Sequence, residues 1–198
     1  MQGIYVTPVR TEQTSYPSAL VVSVAEVKLA ARMDAESTLL DSTITSYIKA
    51  ATKQIENHAG ITIRETTFKG YYDSFPPIMD IRQQPNTEIT KIEYYDVDNA
   101  LQILSATEYM IQKLKYSANI LPSTETVNDY PTTYYKTDAV IVYITAGYET
   151  ADIPDDIKEA IKCMVVSMLQ NCDPNIDIPK ISISLVSEYR NSMSWMEN

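Results

Sequence analysis

One histidine, His58, and two cysteines, Cys163 and Cys172, are the only imidazole and thiols in the chain. A Ser–His–Asp or Cys–His arrangement needs His58 as its base, and no nucleophile elbow accompanies any serine or cysteine. The spacing places His58 at the end of a helix, where the negative pole favours an imidazolium simply as a terminal charge. Zinc of the usual kind takes four His/Cys ligands, which one histidine and two separated cysteines cannot supply. Asp96 and Asp98 have the opening spacing of a calcium loop, but no glycine or distal glutamate follows in register. The run Asp96-Val97-Asp98-Asn99 suits a hairpin turn, because Asp and Asn tolerate left-handed backbone. Asp155 and Asp156 point to different sides of a helix start and complement its positive pole. Four glycines in 198 residues form no phosphate-cradling motif. These residues predict no catalytic site, no cofactor and no metal. A hydrolase-like carboxylate pair drawn from distant positions in the middle of the chain is the one enzymatic alternative.

The net charge is −10, and its distribution bears on partners. Residues 1–60 carry 5 basic and 6 acidic groups, residues 61–151 carry 7 and 12, and residues 152–198 carry 4 and 8. No segment is basic, so a cationic nucleic-acid domain hidden behind an acidic tail is excluded; tight duplex binding needs clustered Lys/Arg. No apolar run approaches the ~20 residues of a membrane span. The N-terminal ten residues lack the basic start and apolar stretch of a secretory signal, so export by that route is not expected. Cys163 and Cys172 stand nine residues apart, ~13 Å along a continuous helix, too far for a bridge. Fifteen tyrosines against two phenylalanines suit either half-buried strands or polar partner interfaces.

The elements that would position these residues are an α+β set. Residues 1–22 read as an extended lead-in, with Pro8 and Pro17 discouraging helix. Ser23 and Glu26 form a capping box for a first helix ending near Met33. A second helix is predicted from Glu36 to Ala59, with Leu40, Ile44, Ile48, Ala51, Ile55 and Ala59 as one apolar stripe and Gly60 as a left-handed cap. Residues 61–151 lose that period and read as a β-rich insert, with strands near 61–73, 78–82, 88–96, 100–104, 108–112, 133–136 and 139–146. Ala139 to Ile144 is apolar at every position, which predicts a central strand covered on both faces. Pro154 opens a long helix ending near Asn171 whose stripe, Ile157 to Leu169, is expected to pack on that of the second helix. Residues 181–185 alternate as Ile-Ser-Ile-Ser-Leu, then an extended C-terminal arm carries Tyr189, Arg190, Met193, Trp195 and Met196. The divisions expected are therefore 1–60, 61–151 and 152–198.

In this order the elements and several short motifs resemble the head–tail connector (adaptor, head-completion) proteins of tailed bacteriophages, in the long form with a β-insert. The resemblance runs through Ser23-Val24-Ala25-Glu26-Val27-Lys28, Asp34, Leu39-Leu40 and Ala59-Gly60-Ile61 to Phe75-Pro76-Pro77. It continues through Ile89, Ile92, Tyr94, Asp96-Val97-Asp98 and Tyr109, then Tyr130-Pro131 and Val140 to Tyr148. It closes with Ile153-Pro154, Ile157-Lys158, Ala160-Ile161, Leu185-Val186 and Tyr189-Arg190. Asn99, Tyr130 and Glu188 depart from the usual Gly, Trp and Pro.

The resemblance implies a non-enzymatic virion protein of the neck, made in the host cytoplasm. It implies a ring of roughly twelve copies closed by head-to-tail contacts, a portal protein above, a tail-completion or stopper protein below, and double-stranded DNA passing without tight binding. A tail terminator or baseplate component is the alternative within phage structure. An acidic or neutral lumen would let DNA slide, although the same charge also serves solubility. Tyr189, Arg190, Met193, Trp195 and Met196 are of the types enriched at buried interface centres, and are expected to dock on the portal or a neighbouring subunit. The alternative is that Trp195, the only tryptophan, folds back on its own domain.

Overall fold

The structure is a computed structural model that describes residues 5–15, 17–114, 117–123, 130–171 and 176–190. It contains two compact units, Met1–Pro17 with Glu65–Gly147, and Ser18–Arg64 with Tyr148–Asn198.

The second unit is helical. Helix α1, Val24–Ala30, starts on the expected capping box: the Glu26 amide donates to Ser23 Oγ at 3.2 Å and the Ser23 amide to Glu26 Oε2 at 2.7 Å. It ends with Arg32 in left-handed backbone, φ 54°, while Met33 N–H donates to Lys28 O and Arg32 N–H to Leu29 O. That reciprocal pair satisfies two of the last carbonyls. Helix α2 spans Asp41–Ala59, five residues later than the sequence predicts. Asp34 is the reason: its side chain takes the Glu36 amide at 3.1 Å and its carbonyl the Ser37 amide, so this stretch turns instead of winding. Leu40, expected within the stripe, is 42% exposed, whereas Ile44, Ile48, Ala51, Ile55 and Ala59 are buried. Gly60 closes the helix at φ 67°, ψ 34°, a conformation without steric cost only for glycine.

Helix α3, Asp155–Asn171, buries Ile157, Ala160, Ile161, Met164, Val165 and Met168 in one core with the α2 stripe, as the two periodicities predict. The Ile181–Leu185 stretch, whose residues alternate apolar and polar, is a helix, α4, Lys180–Val186. Its buried residues are Ser182 and Val186, four apart, and Ser182 Oγ donates to Ala160 O of α3 at 2.8 Å. A buried serine hid the helical period. Between α1 and α2, Lys28 is buried with its ammonium 2.7 Å from Asp41 Oδ1 and 3.3 Å from Ala35 O.

The first unit is built of two sheets. Its strands are β1 (Tyr5–Val6), β2 (Arg10–Gln13), β3 (Thr66–Tyr72), β4 (Ile78–Ile81), β5 (Glu88–Tyr95), β6 (Leu101–Ile103), β7 (Tyr109–Lys113), β8 (Ala118–Pro122) and β9 (Val140–Ala146). The orders are β1-β4-β8-β7 and β2-β3-β9-β5-β6. The lead-in, grouped by the sequence with the helices, supplies β1 and β2 here, pairing with β4 and β3. The two sheets share one core of Tyr72, Met79, Ile81, Ile92, Ile120, Val140, Val142 and Ile144. Strand β9 is central as expected but not covered on both faces: Val140, Val142, Ile144 and Ala146 are buried while Ile141, Tyr143 and Thr145 are only half-buried. Residues 133–136 form no strand; Tyr134 N–H reaches Tyr95 O, but β5 is already paired with β9 and β6. The Asp96 turn forms as read, with Asn99 at φ 60° and Asp96 Oδ1 accepting the amides of Asp98 and Ala100. Phe75 stacks on Tyr130 at 4.6 Å and meets Tyr94 edge-on at 5.4 Å, so two distant Pro-flanked motifs join in one aromatic cluster.

Two outcomes follow from these interiors. The Tyr72 hydroxyl is buried without a hydrogen-bond partner, and burial drives its pKa up. Tyr72→Phe should therefore leave stability unchanged or raise it by about 0.5–1 kcal/mol in urea denaturation. Asp41→Ala strands the buried Lys28 ammonium and should cost about 1–2 kcal/mol, damped because Asp41 is partly solvated. Lys28→Met, which removes the charge and keeps the stem, should cost less than Asp41→Ala in the same assay.

Candidate interaction surfaces

The outer face of the five-stranded sheet follows from strand parity. Residues opposite the core side bring Arg10 and Glu12 of β2, Lys69 and Tyr71 of β3, Tyr143 of β9, and Lys91 and Glu93 of β5 into adjacent rows. These side chains pair among themselves. The Arg10 guanidinium lies 3.8 Å over the Tyr71 ring, and Tyr71 OH donates to Glu12 Oε2 at 2.9 Å. Arg10 also donates to Asp138 Oδ2 at 2.9 Å. Tyr143 has the ammoniums of Lys91 and Lys69 over its ring, at 4.2 and 5.0 Å, and donates to Glu93 Oε2 at 2.7 Å. Lys91 Nζ closes the triangle on Glu93 Oε1 at 2.6 Å. At the sheet edge Lys136 Nζ sits 3.1 Å over Tyr95.

The motif is repeated: a cation on the tyrosine face, where the ring quadrupole is negative, and a carboxylate on the hydroxyl. Burial and the hydrogen bond to Glu93 push the Tyr143 pKa up to about 12. Burial pushes the Glu93 carboxyl up, but the bonds from Lys91 and Tyr143, with the charges of Lys91 and Lys69, hold it below its ordinary value. Pairwise reading along the sequence misses this network, since Arg10 and Asp138 are joined only by the fold; the excess of tyrosine was its one visible trace.

Beside the paired face lies an apolar corner. Val97, Leu101 and Ile103 of the β5–β6 hairpin are 59%, 52% and 67% exposed, and Tyr135 is fully exposed. In the helical unit Leu29, Leu39 and Ile181 are likewise exposed. Exposed apolar groups on neighbouring positions, as in the hairpin, mark contact surfaces more often than isolated ones do.

The C-terminal residues expected to bind partners divide. Tyr189, in a 3-10 turn over Ser187–Tyr189, packs against the helical core, and burial followed by the nearby Glu188 and Asp156 carboxylates pushes its pKa up to about 12. Arg190 lies close enough to His58 for its charge to act there. Met193, Trp195 and Met196 lie outside the described residues. Burial, then the charge of Arg190, lower the His58 pKa from its ordinary value and so disfavour its imidazolium. Cys163 is a free thiol, and Cys172 lies outside the described residues. Among the described residues no group of three His, Cys, Asp or Glu side chains could hold a metal ion, and no helix is long and apolar enough to cross a membrane.

The low Glu93 pKa carries a sign. A carboxyl depressed in the folded state stabilises above its unfolded pKa of ~4.3, and that contribution is lost as pH falls through the folded value. Glu93→Gln should be less stable than the parent at pH 7, and the difference should shrink in urea titrations as pH drops below about 4.

Several solved structures share this fold along its length. A chain from the virion of a native gene transfer agent particle aligns with a TM-score of 0.74 at 14% identity, covering 91% of this chain and 95% of that one. A chain from the neck of the empty particle, computed with C6 symmetry, gives 0.75 at 14% identity over 92% and 96%. A chain from the neck of the native particle, computed with C12 symmetry, gives 0.66 at 15% identity over 92% and 96%. No protein-family model matches the chain, and no curated protein matches it by sequence. Identity this low speaks for the fold alone, and the fold shared over about nine-tenths of the chain is that of gene transfer agent neck and virion chains.

Proposed function

We propose that the chain is a structural subunit of the neck of a tailed-phage-like particle, the head–tail connector or adaptor, and not an enzyme. The observation that carries the reading is the match to virion and neck chains over at least 91% of this chain and 95% of the other. A match in both units and in their order along the chain fits a connector better than a tail terminator or baseplate component. Roughly twelve copies form a ring by head-to-tail contacts; the neck neighbours come from reconstructions with six-fold and twelve-fold symmetry, which supports that number. The ring binds beneath the portal protein, and a tail-completion or stopper protein binds below it. Tyr189 and Arg190 form the anchored root of the C-terminal arm, and Met193, Trp195 and Met196 are its contact residues.

Double-stranded DNA passes through the ring without being gripped. The sheet face supports this: Arg10, Lys69, Lys91 and Lys136 sit on tyrosine rings, and Arg10 and Lys91 also pair with carboxylates. Phosphate would have to displace partners already in place, and the net charge of −10 opposes its approach.

Mixing the purified chain with its cognate portal protein and imaging the product should show rings seated on the portal. Chains that stay monomeric beside assembled portals overturn the proposal. The isolated chain should bind duplex DNA no more tightly than about 10⁻⁴ M at physiological salt, the weak end of non-specific binding. Sub-micromolar binding in a fluorescence titration would contradict the sliding role.

A further inference from the structure

Among the described lysines and arginines of the sheet unit, Lys113 alone has neither a carboxylate nor a ring partner. Arg10, Lys69, Arg82, Lys91 and Lys136 each have one or both. Lys113, exposed at the end of β7, lines a pocket of about 290 Å³ with Gln84, Asn86, Thr87, Leu114 and Ser117. Two of these polar groups are already engaged: Asn86 Nδ2 donates to Gly147 O, and Thr87 Oγ1 to Gln83 O. Gln84 is not. It is 6% exposed, and its Nε2 is buried with no hydrogen-bond partner. A buried donor of that kind costs free energy until an acceptor reaches it. Ser117 adds a hydroxyl and Lys113 an ammonium. Unmet donors beside one unpaired cation suit a carboxylate. Leu114, 48% exposed, gives the same pocket an apolar shoulder.

We propose that this pocket receives the Asp98 carboxylate on the β5–β6 hairpin of an adjacent copy of the same chain. The inference rests on the ring reading above and names one contact within it. Charge complementarity selects the occupant. Asp98 is exposed, and its carboxylate has no partner among the described residues. Asp96 is spent on the turn instead: its oxygens accept the amides of Asp98 and Ala100 and the Gln102 side chain. The turn is thereby held in one shape, and it presents Asp98 next to Val97, 59% exposed. An acid beside an exposed valine matches an ammonium beside an exposed leucine.

Strand β5 keeps the two surfaces of one chain apart. Residues 84–87 precede it and residues 96–99 follow it. Its eight residues, at ~3.3 Å each, separate them by ~26 Å. Because β5 is paired on both sides, with β9 and β6, a chain's hairpin cannot fold back into its own pocket. A neighbour's hairpin meets no such limit. The contact joins two different surfaces, one given and one received by every copy, which is the kind that closes a ring.

The test compares the full chain with Asp98→Lys and with Lys113→Asp. Each sets like charges together, so each should weaken self-association at least about tenfold in sedimentation equilibrium. Both side chains are exposed, so the thermal midpoints should not move. An equimolar mixture of the two variants should associate again, since the unchanged Asp98 of one meets the unchanged Lys113 of the other. Gln84→Met removes the buried amide and keeps its length. It should weaken association too, with a thermal midpoint equal to the parent's or higher; unchanged association overturns the pocket as the seat of the contact. Rings that form as readily with Asp98→Lys or Lys113→Asp as without them overturn the contact and leave the ring reading intact. Weakening that the mixture does not relieve overturns the pairing of these two residues. Parent chains that stay single at high concentration and beside assembled portal overturn the ring reading, and this contact falls with it.

Discussion

Strand β9 is the constraint on which the sheet unit depends. Seven consecutive pairs lock Val140–Ala146 against β3, and six more pairs hold it to β5, with one irregularity between Ile89 and Lys91. Side chains alternate strictly along a strand, so this register decides both faces at once. One parity sends Val140, Val142, Ile144 and Ala146 into the core. The other places Tyr143 between Lys69 and Lys91 with Glu93 in reach. A slip of β9 by one residue would turn Ile141, Tyr143 and Thr145 inward and expose Val140, Val142 and Ile144. The apolar half of the strand therefore enforces the polar half, and the tyrosine network is ordered without any local sequence signal of its own.

Of the 16 lysines and arginines, Arg10, Lys69, Lys91 and Lys136 are held on tyrosine rings by that network. A lysine over an aromatic ring and beside a carboxylate has exchanged its hydration for partners in fixed positions. Exposed, unpaired cations would instead release counterions on meeting DNA and bind it in proportion to their number. The proposed channel role asks for the first arrangement. Stability and weak DNA affinity are then served by the same contacts, because the pairing that orders the sheet face also occupies its charges.

What the sequence made legible followed from locality. The Ser23–Glu26 capping box, the Gly60 cap and the Asp96 turn are each decided within a few residues, and each forms as read. The α2 and α3 stripes were legible because burial there is apolar and periodic. Helix α4 was not, since its buried position is Ser182, whose hydroxyl is satisfied by a carbonyl 22 residues away. Strand β8 was missed because Asn119 is buried and Pro122 ends it, both against strand statistics. The lead-in was legible as extended but not as β1 and β2, since nothing local names β4 and β3 as partners. At His58 the helix pole is local, whereas the burial and the Arg190 charge that lower its pKa come from the tertiary fold, Arg190 from 132 residues further along. The candidate surfaces were legible only as residue types.

A fold shared at 14% identity must depend on few specific residues. Positions where backbone geometry, not side-chain chemistry, sets the requirement are few in this chain. Gly60 at φ 67° and Gly147 at φ 111° occupy conformations that other residues adopt at a cost. Gly147 closes the sheet unit, its N–H bonded to Pro85 O, just before Tyr148 pairs with Ile63 at the base of the helical unit. Most core positions ask only for apolar volume in period, which many sequences supply. The hairpin corner, where Val97, Leu101 and Ile103 are exposed, is under no such demand from folding. Its apolar residues are therefore where a particular assembly would write its own contacts onto a common frame.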